Sequence, residues 1–279
     1  DPEGLRPPRH QPTVNPKDNT MPTNDKIKYA NVPSGCENIA GVALSDAKRA
    51  SKWTAYTDVC QSVTGLIIGL FLFCHMFFTS SIQFGKGAFA ALIWVSGGGP
   101  IFGEEKMWMH VLFIGFITLC VALHALCALR RFPTSYKQFR DIRGHITMVH
   151  HTDTSLWLIQ ITTAVALTGL VFPHVMGMLC APDQIGPELS GLHTYHMGLL
   201  WTLFFLVCTE LHGMIGLYRL AVKWDVVKDR GDKLRKIMTY VCAGMIVCGA
   251  LTAFKFYSIG ADVAEAQAQG APLTSIVSH

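Results

Sequence analysis

The chain has 279 residues, of which 50% are hydrophobic and only 15% are charged. An ordinary soluble domain carries about 25% charged residues, so this composition argues against an ordinary soluble enzyme. The net charge of +4 is distributed at the ends of apolar segments and forms no basic patch, so nothing indicates a nucleic-acid partner.

Five stretches contain no charged residue: 59–85, 107–129, 154–182, 189–209 and 237–254. A helix needs about 20 apolar residues to cross the hydrocarbon core of a bilayer. Backbone groups in lipid must be paired within the protein, which favours helices here. We therefore predict an all-α integral membrane bundle with five transmembrane helices, at roughly 57–80, 106–130, 154–179, 190–220 and 234–258.

Lysine and arginine residues alternate from one connection to the next. They cluster before the first span, after the second and after the fourth, whereas the connection after the first has only Lys86 and that after the third has none. This alternation predicts a cytoplasmic N-terminus and an outer C-terminus. The predicted organisation is a polar cytoplasmic segment (1–50), a membrane domain (51–260) and a short outer tail (261–279).

Each of the first four predicted spans has one histidine well inside it that is a candidate for a functional role: His75, His124, His174 and His212. Ionisable residues at membrane depth are costly and usually mark function. With a helical rise of about 1.5 Å per residue, the alternating span directions place His75 and His174 at an outer level and His124 and His212 at an inner level. Two stacked bis-histidine haems require this arrangement. Without a cofactor, the histidines would only hydrogen-bond neighbouring helices.

Basic residues follow the two inner histidines at helical spacing. Arg131 lies seven residues after His124, and Arg219 lies seven after His212, with Lys223 eleven after it. Each cation is then on roughly the face of its histidine, closer to the cytoplasm. These residues are predicted partners of anionic haem propionates, or else simple cytoplasmic anchors.

A carboxylic acid also lies within the fourth span. Glu210 is two residues before His212, so the two side chains point about 200° apart around the helix. Glu210 is therefore expected to face another helix or an internal water chain, where it could carry a proton. The alternative is a neutral, hydrogen-bonded structural residue.

These features resemble a known family, the single large cytochrome b membrane subunit of diheme quinol:fumarate reductases, which are relatives of succinate dehydrogenases. The matching stretches are CQSVTGLIIGLFLFCHMFF (60–78), ALHALCALRRFPTSYKQF (122–139), HHTDTSLWLIQ (150–160) and ELHGMIGLYRLAVKW (210–224). The resemblance implies two b haems, with His124 and His212 as axial ligands of the inner haem and His75 and His174 of the outer one. It also implies that Glu210 carries protons and that four residues lie near propionates: Gln61, Ser62, Trp157 and Lys223.

One position departs from the family pattern. The family has a glutamate near the outer end of its second span that accepts protons from menaquinol, and here Ser96 or Gly97 aligns with it. The nearest carboxylates, Glu104 and Glu105, are therefore the candidate proton acceptors. Alternatively, they only begin the next helix, since glutamate is favoured in a first turn.

The resemblance further implies a place in a larger complex of the bacterial cytoplasmic membrane. A flavoprotein subunit carrying FAD and an iron–sulfur subunit would bind the cytoplasmic face, and the complex would be a dimer of heterotrimers. Electrons from menaquinol would pass through both haems to these partners, which reduce fumarate to succinate. The direction of turnover is not written in the sequence.

Two other interpretations remain open at the level of the sequence. A diheme b subunit of a nitrate reductase or hydrogenase would commonly place two ligands on one helix, whereas each helix here contributes one. A haem-free membrane anchor or transporter would give more weight to His193 and His196, an i,i+3 pair that could bind a metal or simply lie at the membrane interface.

Overall fold

The computed structural model of the protein describes residues 52–130, 135–138, 140, 141, 144, 152–227 and 231–276. Within these ranges every regular element is a helix. Five helices are long and apolar enough to cross a membrane, which confirms the predicted all-α bundle. The N-terminal segment predicted at 1–50 lies outside the described residues, as does Arg131.

The described chain contains nine helices and two 3-10 turns. In chain order they are α1 (Lys52–Ser80), a 3-10 turn (Ser81–Phe84), α2 (Lys86–Ser96), α3 (Gly99–Phe102), α4 (Met107–Leu129), α5 (Thr152–Cys180), a second 3-10 turn (Pro182–Gln184), α6 (Pro187–Met197), α7 (Leu199–Lys223), α8 (Gly231–Ala268) and α9 (Leu273–Ile276).

Four of the long helices form a closed ring. α1 packs on α4, α4 on α5, α5 on α7, and α7 on α1. These are the four helices that carry the predicted haem ligands, so all four ligands belong to one ring. α8 packs outside the ring, against α7 and α1, and α6 lies along α8.

The fourth predicted span is divided into two helices. The expected helix over 190–220 is interrupted at Gly198, where φ is +86° and ψ is 141°. Only glycine adopts this backbone region without a steric cost, so the chain turns there between α6 and α7. The apolar pattern alone does not reveal such a break, because it continues on both sides.

The fifth helix is longer than its apolar window. α8 continues to Ala268, whereas the hydropathy pattern predicted an end near 258. Ile259 and Val263 stay buried along this extension, and the alanine-rich segment that follows favours helix.

A short helical connection that the sequence did not predict joins the first two spans. α2 packs through Phe89 and Ile93 against Ile82 at the end of α1 and against Phe256 of α8. At Gly98 φ is +85°, and the chain enters α3. This connection brings the residues just before α4 back against the end of α2.

Candidate functional site

The four histidines of the spans meet as two pairs across the ring. The ring centroids of His75 and His174 are 6.3 Å apart, with planes at 70°. Those of His124 and His212 are 6.4 Å apart, with planes at 89°. Each pair joins two helices that lie opposite each other in the ring, and the structure brings together the same two pairs that the sequence predicted.

This spacing suits a metal ion held between two imidazoles. A metal–nitrogen bond of about 2 Å, with roughly 1 Å from each nitrogen to its ring centre, puts two trans imidazole centroids about 6 Å apart. Among the described residues, no His, Cys, Asp or Glu joins either pair to make a group of three. Two protein ligands alone suit haem iron, because the macrocycle supplies the remaining ligands.

The inner pair is oriented by two glutamine carbonyls. Nδ1 of His124 lies 3.2 Å from the backbone oxygen of Gln61 on α1, and Nδ1 of His212 lies 3.0 Å from the backbone oxygen of Gln160 on α5. Since a carbonyl only accepts, each Nδ1 carries the proton. Nε2 of each ring is then the nitrogen with a lone pair for iron, an arrangement typical of metal-ligating histidines.

The outer pair lies among aromatic rings. Phe71 stacks on His75 with a centroid distance of 5.2 Å, and Phe205 lies 5.3 Å from His174. Phe71 also contacts Phe113 of α4 at 5.7 Å. A flat apolar macrocycle packs well against such rings, and the ring contacts described here are all with aromatic side chains.

A charged cluster lies at the end of the ring beyond the inner pair. Lys223 donates hydrogen bonds to the carboxylate of Asp58 and, at 2.9 Å, to the hydroxyl of Ser62. Arg130 donates to the other oxygen of Asp58 at 3.1 Å. The structure therefore brings together Ser62 and Lys223, two of the residues expected near propionates.

Two further polar side chains lie between this cluster and the inner histidines. Arg219 donates a hydrogen bond to Oε1 of Gln160 at 2.5 Å. The side-chain oxygen of Gln61 is buried and has no hydrogen-bond partner among the described residues. This oxygen needs a donor, whereas the NH2 group of the same amide is the part that could donate a hydrogen bond to a propionate. Trp157 is half-buried on α5, one turn before Gln160.

Sequence comparisons agree with this architecture. A family described as "Succinate dehydrogenase/Fumarate reductase transmembrane subunit" matches residues 137–252. A fumarate reductase cytochrome b subunit of Helicobacter pylori is 39% identical over 202 residues, which cover 71% of this chain and 78% of the relative. The chain belongs to the fumarate reductase cytochrome b subunit family. The subunit of that name from Wolinella succinogenes is 36% identical over 226 residues, covering 77% of this chain and 86% of the relative.

Membership of the cytochrome b subunit family confirms the resemblance predicted from the sequence. It also makes the protein a multi-pass membrane protein, and the relatives from two bacteria fit a bacterial cytoplasmic membrane. The family implies haem b, and the two histidine pairs provide suitable ligands for it.

Glu210 is buried on the face of α7 that turns away from the inner histidines. Met214, one turn further along, packs with Cys242 and Met245 of α8, whereas His212 contacts α5. Glu210 is thus directed toward the helix outside the ring, as expected of a residue that does not contact haem.

The two carboxylates before α4 differ in their surroundings. Glu104 is largely exposed and accepts a hydrogen bond from Lys106, and this bond lowers the pKa of its carboxyl group. Glu105 instead folds back toward α2, with its carboxylate oxygen 3.3 Å from Nδ1 of His110.

His193 and His196 lie on α6, next to the outer end of α5. His193 is half-buried, and burial followed by the nearby His196 lowers the pKa of its imidazole. Its ring lies 3.3 Å from the position that a Cβ on Gly177 would take. Within the described chain, neither histidine belongs to a three-residue metal-binding group.

Sequence reasoning missed three residues of these sites. Asp58 lies just before the first charge-free stretch and was assigned no role from the sequence, yet it pairs with two cations. Gln160 and His110 lie within apolar windows and were passed over as ordinary helix residues. A polar residue inside a charge-free window was the available signal for both, since such residues need partners in a bundle.

Proposed function

We propose that this chain is the membrane anchor and electron-transfer subunit of a menaquinol:fumarate reductase. It takes electrons from menaquinol and delivers them to an iron–sulfur subunit and a flavoprotein subunit, which reduce fumarate to succinate. The names of the relatives support the type of complex. The observation that carries the role of this chain is the pairing of its four intramembrane histidines at 6.3 and 6.4 Å.

Two b haems, when bound, supply one-electron carriers between the quinol and the soluble subunits. His124 and His212 hold the inner haem, and His75 and His174 hold the outer one. The carbonyls of Gln61 and Gln160 fix the orientation of the inner ligands. This orientation keeps Nε2 of each ring available to iron.

The charged end of the ring carries the residues that would hold the propionates of an inner haem. Lys223, Ser62 and the buried amide of Gln61 supply polar groups there, together with Arg219 and Trp157. Arg131 is included in the proposal only because of its spacing from His124 in the sequence. Cations are needed because a propionate in a low-dielectric bundle is stable only when it is paired. In the orientation given by the basic loops, this end faces the cytoplasm, where the FAD and iron–sulfur partners bind.

Protons follow a separate route from electrons. Menaquinol releases its protons at the outer end, to one of the two candidate carboxylates, Glu104 or Glu105. Glu210, buried between α7 and α8, carries a proton through the bundle. The whole complex is a dimer of heterotrimers in the bacterial cytoplasmic membrane.

A redox titration of the purified complex tests the electron-transfer role. We expect reduced-minus-oxidised spectra to show two b-type components with distinct midpoint potentials. His124→Ala should remove one component and His75→Ala the other. His196→Ala is the matched control, because His196 is an exposed histidine outside both pairs, and it should keep both.

Two results would contradict the proposal. One is a colourless wild-type complex, which would favour a haem-free anchor or transporter. The other is a single component that survives both His124→Ala and His75→Ala, since each variant removes one ligand from a different pair.

A further inference from the structure

A polar cluster of three side chains lies at the outer end of the ring, outside both histidine pairs. Nε2 of His110 is 3.1 Å from the hydroxyl oxygen of Ser96, and Nδ1 is 3.3 Å from a carboxylate oxygen of Glu105. The His110 side chain is 9% exposed and that of Glu105 is 41% exposed. A buried histidine thus lies behind a carboxylate that remains accessible.

The loop backbone builds this contact. The amide of Lys106 donates to the carbonyl of Gly97 at 2.8 Å and closes the loop between α2 and α4. A Cβ on Gly97 would overlap the Glu105 side chain and lie 3.2 Å from Cε1 of His110. The carboxyl of Glu105 therefore occupies the space that a side chain at position 97 would enter.

The hydrogen bonds of Ser96 favour one tautomer of the His110 ring. Ser96 donates its hydroxyl hydrogen to the carbonyl of Ile93 at 2.8 Å, so its oxygen is left to accept from Nε2–H of His110. Nδ1 is then the nitrogen that can take up a proton. Nδ1 is buried and forms no hydrogen bond with a described residue, although a carboxylate oxygen of Glu105 lies within ion-pair distance of it.

Exposed apolar side chains border the cluster, and it lies close to the outer histidine pair. Large apolar side chains around it are exposed, among them Trp94, Ile101, Phe102, Met107 and Trp108. Phe113, one turn after His110 on α4, contacts Phe71, which stacks on His75. A ligand with a polar aromatic head and an apolar tail matches this combination.

We propose that Glu105 and His110 form the proton-accepting pair of the quinol site, with Glu105 as the catalytic residue and His110 as the positioning residue behind it. This inference rests on the proposed function, which supplies menaquinol as the donor and the electron carriers as the acceptor. Ser96 fixes the tautomer, so that Nδ1 faces the carboxylate. Glu104 does not take part, because Lys106 binds it.

Glu105 and His110 together can accept the two protons that oxidation of one quinol releases. Oxidation of one quinol breaks two O–H bonds, releases two electrons to the acceptor chain and yields a quinone. The first proton goes to the Glu105 carboxylate and moves to Nδ1 of His110, which becomes an imidazolium paired with the carboxylate. The second proton then goes to the same carboxylate. Both leave to water through Glu105.

Purified wild-type complex and its variants test the pair, with menadiol as electron donor and fumarate as acceptor. Glu105→Gln should slow menadiol oxidation about 100-fold or more, since loss of a general base costs that much. Glu104→Gln, the same change one residue away, should oxidise menadiol at a rate within about twofold of wild type. Reduction of the b components by dithionite should be unchanged in both.

A pH profile separates positioning from a merely structural role. On the acid side, the logarithm of the wild-type rate should rise with a slope approaching about two per pH unit, and in His110→Gln with a slope of about one. The other charged groups on nearby elements are Asp183, the pair of Lys86 with Glu188, the pair of Glu104 with Lys106, and His193 and His196. None of them changes in this variant.

Ser96→Ala is a second test of the pair that changes no charge. It can be used if the Glu105→Gln complex does not assemble. It should slow menadiol oxidation several-fold and change the pH profile, because Nε2–H loses its acceptor. Glu105→Gln or Ser96→Ala with the rate and pH profile of wild type would overturn the pair. A wild-type complex that does not oxidise menadiol at all would instead overturn the proposed function.

Discussion

Nδ1 of His212 donates a hydrogen bond to the backbone carbonyl of Gln160, and the side chain of the same glutamine accepts a hydrogen bond from Arg219. One residue of α5 therefore links a predicted haem ligand of α7 to a cation two turns further along that helix. This linkage ties the orientation of the inner histidine to the charge at the end of the ring.

Arg219→Gln is expected to lower the midpoint potential of the inner b component by up to about 70 mV. Arg219 lies about 10 Å along the helix from His212, and two unit charges at that distance interact by about 1.7 kcal/mol at an effective dielectric constant of about 20. Loss of a positive charge favours the oxidised haem, so the potential falls. Redox titration of the purified complex measures the shift.

Arg235→Gln provides the control for Arg219→Gln. Arg235 lies on α8 and pairs with Asp232 three residues away, so this variant removes the same charge from a helix outside the ring. Equal shifts in both variants would mean that Arg219 acts only through net charge. If Arg219→Gln caused no shift, Arg219 would have no electrostatic effect on the potential of the inner haem.

Gly65→Ala is expected to weaken binding of the inner haem and to leave the outer one intact. A Cβ on Gly65 would lie 2.9 Å from Cε1 and 3.2 Å from Nδ1 of His124. The ring would have to move, and its hydrogen bond to Gln61 would weaken. Disturbing such an outer hydrogen bond typically costs about 10–100-fold in metal affinity.

Haem content and the two optical components check this prediction. Gly115→Ala on α4 is the matched control, since a Cβ there meets nothing within 4 Å. The inner component of Gly65→Ala should be diminished or shifted, with the outer component at its wild-type potential. Equal loss of both components would instead indicate general misfolding.

Sequence reasoning reached the ligand pairs because only helical rise and span direction were needed to place His75, His124, His174 and His212 at two levels. The contact between His110 and Ser96 could not be predicted from the sequence, because it depends on the backbone path of the loop after α2. The break at Gly198 was missed for a similar reason, because its hydropathy resembles that of its neighbours. The charge-free windows thus predicted the five helices, whereas their arrangement as a ring and the cluster at its outer end depend on packing and loop geometry.

Lys86→Ala is expected to destabilise the protein more than Glu188→Gln does. The side chain of Glu188 is 1% exposed and that of Lys86 is 49% exposed, and they form an ion pair at 2.9 Å. Removal of Lys86 leaves a charged carboxylate in the interior without this cation, at a cost of about 1–3 kcal/mol. Removal of the Glu188 charge leaves a lysine that can reach water, so about 1 kcal/mol or less is expected.

Thermal unfolding of the purified protein in detergent compares these two variants. The melting temperature should fall further for Lys86→Ala than for Glu188→Gln. The reverse order would mean that the hydrogen bonds of the Glu188 carboxylate outweigh its ion pair with Lys86.

Gly260→Ala is expected to destabilise the packing of α6 on α8 by about 1–3 kcal/mol, the usual cost of forcing a methyl into a filled site. A Cβ on Gly260 would overlap the backbone carbonyl of Gly191 on α6 and lie 2.8 Å from Cβ of Tyr195. Backbone atoms cannot move aside as a flexible side chain can. Small residues of this kind let membrane helices approach closely.

Gly244→Ala serves as the control on the same helix, because a Cβ there meets nothing within 4 Å. Alanine favours helix over glycine by up to about 1 kcal/mol, so this variant should be neutral or slightly more stable. The two changes should therefore move the melting temperature in opposite directions. If Gly260→Ala were as stable as Gly244→Ala, the close approach of α6 and α8 would not be a source of stability, and Gly191 would tolerate alanine as well.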